Sequence, residues 1–207
     1  MSLTEDLSKF KPDVRYLNDM EEVVYDQNWL KTAPNLELYY MYRQLKEENG
    51  LKYNITIVPP RMLGDEFVKT KGHVHIGNFK EIYIVLQGEA VYLMQKTDNE
   101  TVEDVYAVKA KKGEAVIIPA FYGHITINAA DENLKTGDWT SLGCKSDYSL
   151  FEKLRGACYY YIKEGPASAK GFGEAKWIKN ENYKNIPPLR FEEPLKSTPE
   201  NLEFLKN

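Results

Sequence analysis

At 207 residues with 43% hydrophobic content, the chain has material for one well-packed domain with extensions, not for two large ones, and it is too apolar to be disordered. A formal charge of −4 and a pI near 5.6, with lysines spread along the chain, exclude a nucleic-acid backbone as the expected partner. No stretch approaches the roughly eighteen apolar residues of a membrane span.

The start, Met1-Ser2-Leu3-Thr4-Glu5-Asp6, lacks the basic-then-apolar order of a secretion signal. Residues 1–35 read as an arm. Asp19-Met20-Glu21-Glu22 precedes an apolar, partly helical stretch through Trp29 and Leu30, an order that suits a helix N-terminus, and Pro34 ends it. Leu36 to Tyr42 and Leu51 to Val58 are predicted strands around Glu48-Asn49-Gly50, because Asn-Gly supplies the positive φ angles of a tight hairpin. Further predicted strands are Glu81 to Leu86, Ala90 to Gln95, Val102 to Val108, Ala115 to Ile118, Ile125 to Asn128 and Ala157 to Ile162. Turns fall at Gln87-Gly88, Thr97-Asp98-Asn99 and Lys111-Lys112-Gly113. Many short strands with such punctuation predict an all-β antiparallel barrel over residues 36–165. The segment 166–207, with Pro187-Pro188 and Pro194, reads as an extension packing on the barrel or on a partner. Cys144 and Cys158 have no ligand-like spacing, which predicts free thiols in a reducing cytoplasm, with one structural disulfide as the alternative.

His73, His75 and His124 are the chain's three histidines. Strand parity sends His73 and His75 the same way, puts Glu81, Tyr83 and Val85 on one face against Ile82, Ile84 and Leu86, and groups His124, Thr126 and Asn128 opposite Ile125 and Ile127. Polar side chains facing a barrel interior are costly unless paired, ligated or wet. A divalent ion held by His73, His75, Glu81 and His124 resolves that cost and leaves positions open for substrate.

Two motifs carry a resemblance. Thr70-Lys71-Gly72-His73-Val74-His75, Glu81 and Gly88, then Gly113, Pro119, His124 and Asn128, resemble the cupin superfamily, which implies a double-stranded β-helix or jelly-roll barrel. Phe67 stands where a glycine is common, five residues rather than three or four separate His75 from Glu81, and the second motif's internal glycine is displaced to Gly123. Within cupins the chain resembles the glucose-6-phosphate isomerases of archaea and some bacteria. That resemblance rests on the Thr70-to-His75 run, Glu81-Ile82-Tyr83, Leu17-x-Asp19-Met20-Glu21 with Trp29, and Tyr39 and Tyr42 before Thr56. It implies that Thr56, Thr70 and Gly72 bind the substrate phosphate, with Tyr39 beside them. Tyr148, next to Asp147, falls where the family has a histidine-aspartate-tyrosine run, and Ser146 stands in the histidine's place.

The chemistry asks for the same groups. A phosphate needs hydroxyls and backbone N–H donors, and Gly72 admits close approach while Thr70 adds a hydroxyl and Lys71 a charge. A divalent ion polarises the carbonyl of an aldose or ketose, and Glu81 is the base in a proton-transfer route or a hydroxyl-proton shuttle in a hydride-shift route. Tyr83 either orients the carboxylate or a sugar oxygen, or is a core aromatic. The expected protein is a homodimer, since arm and tail have little to bury themselves against alone. Its expected reaction interconverts glucose 6-phosphate and fructose 6-phosphate on iron, manganese, nickel, zinc or cobalt. Alternatives are isomerisation of another sugar or sugar phosphate, a cupin dioxygenase, and a non-catalytic metal- or sugar-binding cupin.

Overall fold

The computed structural model describes residues 6–165 and 174–206. Its strands run in chain order as β1 (Asp13–Tyr16), β2 (Glu37–Glu48), β3 (Leu51–Val58), β4 (Met62–Leu63), β5 (Glu66–Phe67), β6 (Val74–His75), β7 (Glu81–Gln87) and β8 (Glu89–Asp98). They continue as β9 (Thr101–Lys111), β10 (Ala115–Ile118), β11 (Tyr122–Ile127), β12 (Leu134–Ser141), β13 (Ser146–Asp147), β14 (Tyr159–Glu164), β15 (Glu174–Lys179) and β16 (Arg190–Glu192). Two short helices, α1 (Gln27–Leu30) and α2 (Ser149–Lys153), and 3-10 turns at Leu7–Lys9, Leu17–Val23 and Glu203–Leu205 complete the described elements. No helix among the described residues is long and apolar enough to cross a membrane.

Two sheets form the barrel. One has the order β1-β2-β3-β12-β7-β10 and the other β11-β8-β9-β16, with β16 parallel to β9. Their facing sides share one core, in which Val58, Val85, Val116 and Leu134 meet Tyr92, Met94 and Val105. The outer face of the larger sheet has a second core of Tyr53, Ile55, Ile82, Ile84 and Trp139, covered by Leu205 with half-buried Leu7, Leu202 and Phe204. Full burial of a side chain such as Leu205 stabilises by about 1.5–3 kcal/mol, which ties the C-terminal turn to the sheet. The rest of the described C-terminal segment also lies on the barrel. β15 pairs with β14, β16 with β9, and Leu195 bridges Ala115; the expected start of the extension at 166 is outside the described residues.

Asn49 (φ 52°) and Gly50 (φ 80°) make the predicted hairpin turn. β2 is longer than expected because it continues through a bulge, where Gln44 takes φ 56° and the register slips between Tyr42 and Lys46. The expected single helical stretch in the arm is two pieces. Val24 is extended (ψ 135°) and the Tyr25 N–H donates to the buried Glu66 carboxylate at 2.9 Å, which withdraws it from any helix. Asp26 then caps α1 by accepting from the N–H groups of Asn28 and Trp29. Strand β1, also in the arm, pairs with β2 as an edge strand. The largest departure is β12, a central strand between β3 and β7 in a region with no predicted element.

Candidate metal centre

The register of the larger sheet lays its inward side chains out in rows. Lys52, Thr140 and Glu81 form one row, Asn54, Asp138 and Tyr83 the next, and Met41, Thr56, Thr136 and Val85 a third. Arg15 pairs with Tyr39 beyond them. Polar residues thus occupy the inner face at one end of the barrel, and Val58 and Leu134 begin the apolar core at the other.

The opposite wall is built by a bulge. Residue 73 pairs with 124 through two backbone hydrogen bonds (3.0 and 3.3 Å), while the Thr70 N–H donates to the Thr126 carbonyl. Two residues, Lys71 and Gly72, separate those rungs on one strand and one, Ile125, on the other. The surplus residue is absorbed at Lys71-Gly72, where Gly72 has φ 86°. In return the Thr126 N–H donates to the Thr70 hydroxyl oxygen at 3.0 Å in place of a carbonyl. A Cβ on Gly72 would stand 2.5 Å from the Phe151 ring and 2.6 Å from Ile125, so the glycine is needed for space as well as for φ. Gly123, the displaced glycine of the second motif, clears room for the same ring. Phe151, fully buried, therefore pins α2 behind the metal-facing strands and sets Tyr148, the residue preceding α2, with its ring centre 5.4 Å from that of His73.

His73, His75, Glu81 and His124 come together with one ligand atom each, all within 4.8 Å of one another. His73 Nε2 and His75 Nε2 lie 3.2 Å apart, and Glu81 Oε2 lies 3.4 Å from His75 Nε2 and 3.2 Å from His124 Nε2. His75 Nδ1 is 3.4 Å from the Phe79 carbonyl, which can only accept, so that nitrogen carries the hydrogen and Nε2 is left with its lone pair. The longer linker between His75 and Glu81 supplies that carbonyl. Burial depresses all three imidazoles, His124 to about 4, and so keeps them as neutral ligands. Glu81 Oε2 and His124 Nε2 are buried without a hydrogen-bond partner, an arrangement that costs stability unless a cation is shared between them. The donor set, its burial and its unpaired atoms fit a divalent transition metal.

Beside this cluster is a cavity of about 180 Å³ whose lining includes Tyr39, Thr56, Thr70, Lys71, Gly72, Tyr83 and Tyr148. All of the expected substrate-binding residues thus border one space. A larger cavity of about 630 Å³ lies on the sheet's outer face under residues 198–203 and holds none of them. Tyr83 lines this cavity two residues along β7 from Glu81 on the same face, its ring centre 5.9 Å from that of His124, a place from which its hydroxyl can orient the carboxylate or a sugar oxygen. Two expectations change. The Lys71 ammonium is bound by Glu152 at 2.7 Å with Glu22 at 3.6 Å, so Lys71 borders the cavity without directing its charge there; its N–H donates to the Tyr39 hydroxyl at 3.2 Å. Asn128 does not share the pocket with His124, because its amide donates to the carbonyls of Val58 and Glu132 and accepts from the Ala130 N–H, which fixes a loop. Arg43 and Lys52 are cationic residues lining the cavity. Cys144 and Cys158 are both buried free thiols.

Asp138 is the residue that the sequence did not nominate. It is 4% exposed, accepts from Asn54 Nδ2 at 2.6 Å, and lies one row along from Glu81 on the cavity wall. Burial first, then the neighbouring Glu81, pushes its carboxyl well above the usual range; burial also raises Glu81.

Two packed, mainly antiparallel sheets around a cluster of three imidazoles and a carboxylate are the arrangement of a metal-binding cupin. The family model described as "Glucose-6-phosphate isomerase (GPI)" matches residues 14–177. The chain is 31% identical to the glucose-6-phosphate isomerase of Pyrococcus abyssi over 181 residues, covering 84% of this chain and 89% of that one, and 28% identical to that of Pyrococcus horikoshii over 178 residues, covering 83% and 88%. With the Pyrococcus furiosus isomerase the match is 31% over 128 residues, 59% of this chain and 66% of that protein. Among solved structures it is similar to the oxalate decarboxylase of Lactobacillus farciminis, at 15% identity and a TM-score of 0.44 over 64% of this chain and 31% of that one. The chain belongs to the glucose-6-phosphate isomerase family, in its cupin form.

Proposed function

We propose that the protein interconverts glucose 6-phosphate and fructose 6-phosphate at the His73, His75, Glu81 and His124 centre. The observation that carries this is the placement of the ligand cluster and the hydroxyl-rich wall of Thr56, Thr70 and Tyr39 around one cavity. The hydroxyls of Thr56, Thr70 and Tyr39 with the Gly72 main chain hold the phosphate, and Lys52 supplies positive charge, the Arg43 guanidinium being paired with Asp13 at 2.9 Å. A bound divalent ion supplies Lewis acidity toward the two sugar oxygens that exchange roles. Glu81 moves the proton. Its buried carboxylate takes it from the carbon beside the carbonyl in a proton-transfer route, or handles only hydroxyl protons if hydride shifts directly; exchange of the C2 hydrogen with solvent deuterium separates the two. Tyr83 orients Glu81, and Tyr148 closes the mouth over His73.

Iron is one of several metals the ligand set suits, with manganese, nickel, zinc and cobalt. The buried free thiols fit a reducing cytoplasm. A homodimer would cover Tyr42, Leu45, Ile57 and Leu86, half-buried at the rim of the outer core; a mass of one chain in light scattering would end that part of the proposal. The decisive experiment is a coupled assay of fructose 6-phosphate to glucose 6-phosphate before and after chelation, with metal analysis of the same sample. Activity that tracks metal content is expected. A metal-loaded protein that leaves this substrate unchanged, or that consumes oxygen instead, overturns the reading.

A further inference from the structure

A chain of polar contacts leads from a backbone irregularity to the edge of the metal centre. At the bulge in β2 the Gln44 N–H has no cross-strand carbonyl and donates to Asn54 Oδ1 at 2.8 Å. That bond settles the orientation of the Asn54 amide, since its oxygen is held by a donor and its nitrogen must face the other way. The nitrogen donates to Asp138 Oδ2 at 2.6 Å, and Asp138 in turn stands beside Glu81 on the cavity wall, on the neighbouring strand. Register supports each link. Asp138 lies opposite Asn54 on one side and Tyr83 on the other, one row along from the Thr140–Glu81 pair. Every member is on a strand of the same sheet, and Asp138 and Glu81 are almost fully buried.

We propose that Asp138 is a positioning residue which, through Asn54, transmits the geometry of the β2 bulge to the Glu81 carboxylate and holds the oxygen that faces the imidazoles in place. The inference rests on the metal centre of the proposed function. A carboxylate that serves a metal needs its rotation about the last side-chain bond restricted, and outer partners of ligands commonly do this. Tyr83 restrains Glu81 from its own strand, and Asp138 restrains it from the neighbouring one. An asparagine at 138 keeps the acceptor for Asn54 and a polar side chain of the same shape against Glu81, whereas an alanine keeps neither.

The test uses full-length protein stripped by chelation and titrated with Mn²⁺, read by the electron paramagnetic resonance of the free ion, beside kcat and KM for fructose 6-phosphate. Asp138→Ala is expected to weaken Mn²⁺ binding about 10–100-fold and to lower kcat more than it raises KM. Asp138→Asn should recover most of both losses. Asn54→Ala, which leaves Asp138 and Glu81 untouched, should weaken Mn²⁺ binding in the same direction and keeps the test alive if Asp138→Ala does not fold. Unchanged Mn²⁺ affinity in Asp138→Ala or Asn54→Ala overturns the proposal. So does an Asp138→Asn variant as impaired as Asp138→Ala, because the carboxyl would then have work that an amide cannot do. If the wild-type protein binds Mn²⁺ but does not isomerise the sugar phosphate, the isomerase reading fails while the affinity series still judges Asp138.

Discussion

Gly72→Ala tests whether the bulge before His73 needs a glycine for both its conformation and its space. The substitution acts in two ways. At φ 86° an L side chain meets its own carbonyl, at a cost of about 1–2 kcal/mol. The new methyl also falls 2.5 Å from Phe151 and 2.6 Å from Ile125, and overpacking of that kind costs about 1–3 kcal/mol. Restricting the unfolded chain offsets roughly 0.4–1 kcal/mol, so the net loss is about 1–4.6 kcal/mol, a sizeable part of the ~5–15 kcal/mol that holds a domain together. Urea unfolding of the chelated protein measures it as a lower midpoint at unchanged slope. The ring's share separates in a cycle with Phe151→Leu, which should relieve the clash with the ring and leave the φ cost and the Ile125 contact, giving a coupling of about 1–3 kcal/mol. Gly123→Ala, whose backbone has no positive φ but whose Cβ would stand 2.8 Å from the same ring, should show only the clash. A loss for Gly72→Ala below about 1 kcal/mol, or no coupling to Phe151, would refute the account of this bulge.

Other expectations concern the site itself. Glu81→Gln, folded and still metal-loaded, should lose about 10²-fold or more in turnover; near-normal turnover would deny Glu81 the proton. Thr70→Val should raise KM more than it lowers kcat. It should also destabilise by about 1–3 kcal/mol, because the Thr126 N–H loses its acceptor, while Thr70→Ser restores both; an unchanged KM would remove Thr70 from the phosphate wall. Metal at about 100 times its Kd should raise stability over the chelated form by roughly 2.7 kcal/mol by mass action. A thermal midpoint indifferent to metal would show that the four side chains hold none. Lys71→Met should affect stability through the lost pairs with Glu22 and Glu152 and leave KM nearly unchanged; a large rise in KM would return the ammonium to the phosphate.

The clustering of three histidines with Glu81 was legible because the histidines are rare here and stand at spacings that survive translation into strands. His73, His75 and His124 are all the imidazoles the chain has, and each lies where a period of two directs it inward. The hairpin at Asn49-Gly50 was legible for a similar reason, since only a few residues accept two consecutive positive φ angles. Lys71 misled because sequence shows a charge and not its partner. The Glu152 that binds it arrives on α2, placed by a phenylalanine whose fit depends on Gly72 and Gly123. Those glycines appeared in the sequence as motif letters, and their shared purpose is visible only as the space filled by one ring.

β12 was hidden for a deeper reason. Its residues, Leu-Lys-Thr-Gly-Asp-Trp-Thr-Ser, include a glycine and an aspartate in the interior, the types most depleted from strands. Gly137 is there because the fully buried Tyr53 ring fills the position its Cβ would take. Thr136, Asp138 and Thr140 are polar because the face they form lines a reaction cavity rather than a core. Their alternation with Lys135, Gly137 and Trp139 is a strand signal, but one whose inward set is hydrophilic, so hydrophobic periodicity could not register it. The most central strand of a catalytic barrel can therefore be the hardest to read. The same inversion that conceals the strand marks it: a buried acid on a polar face, opposite an amide and one row from a ligand carboxylate, has a function to perform there, or it would cost stability with nothing to offset it.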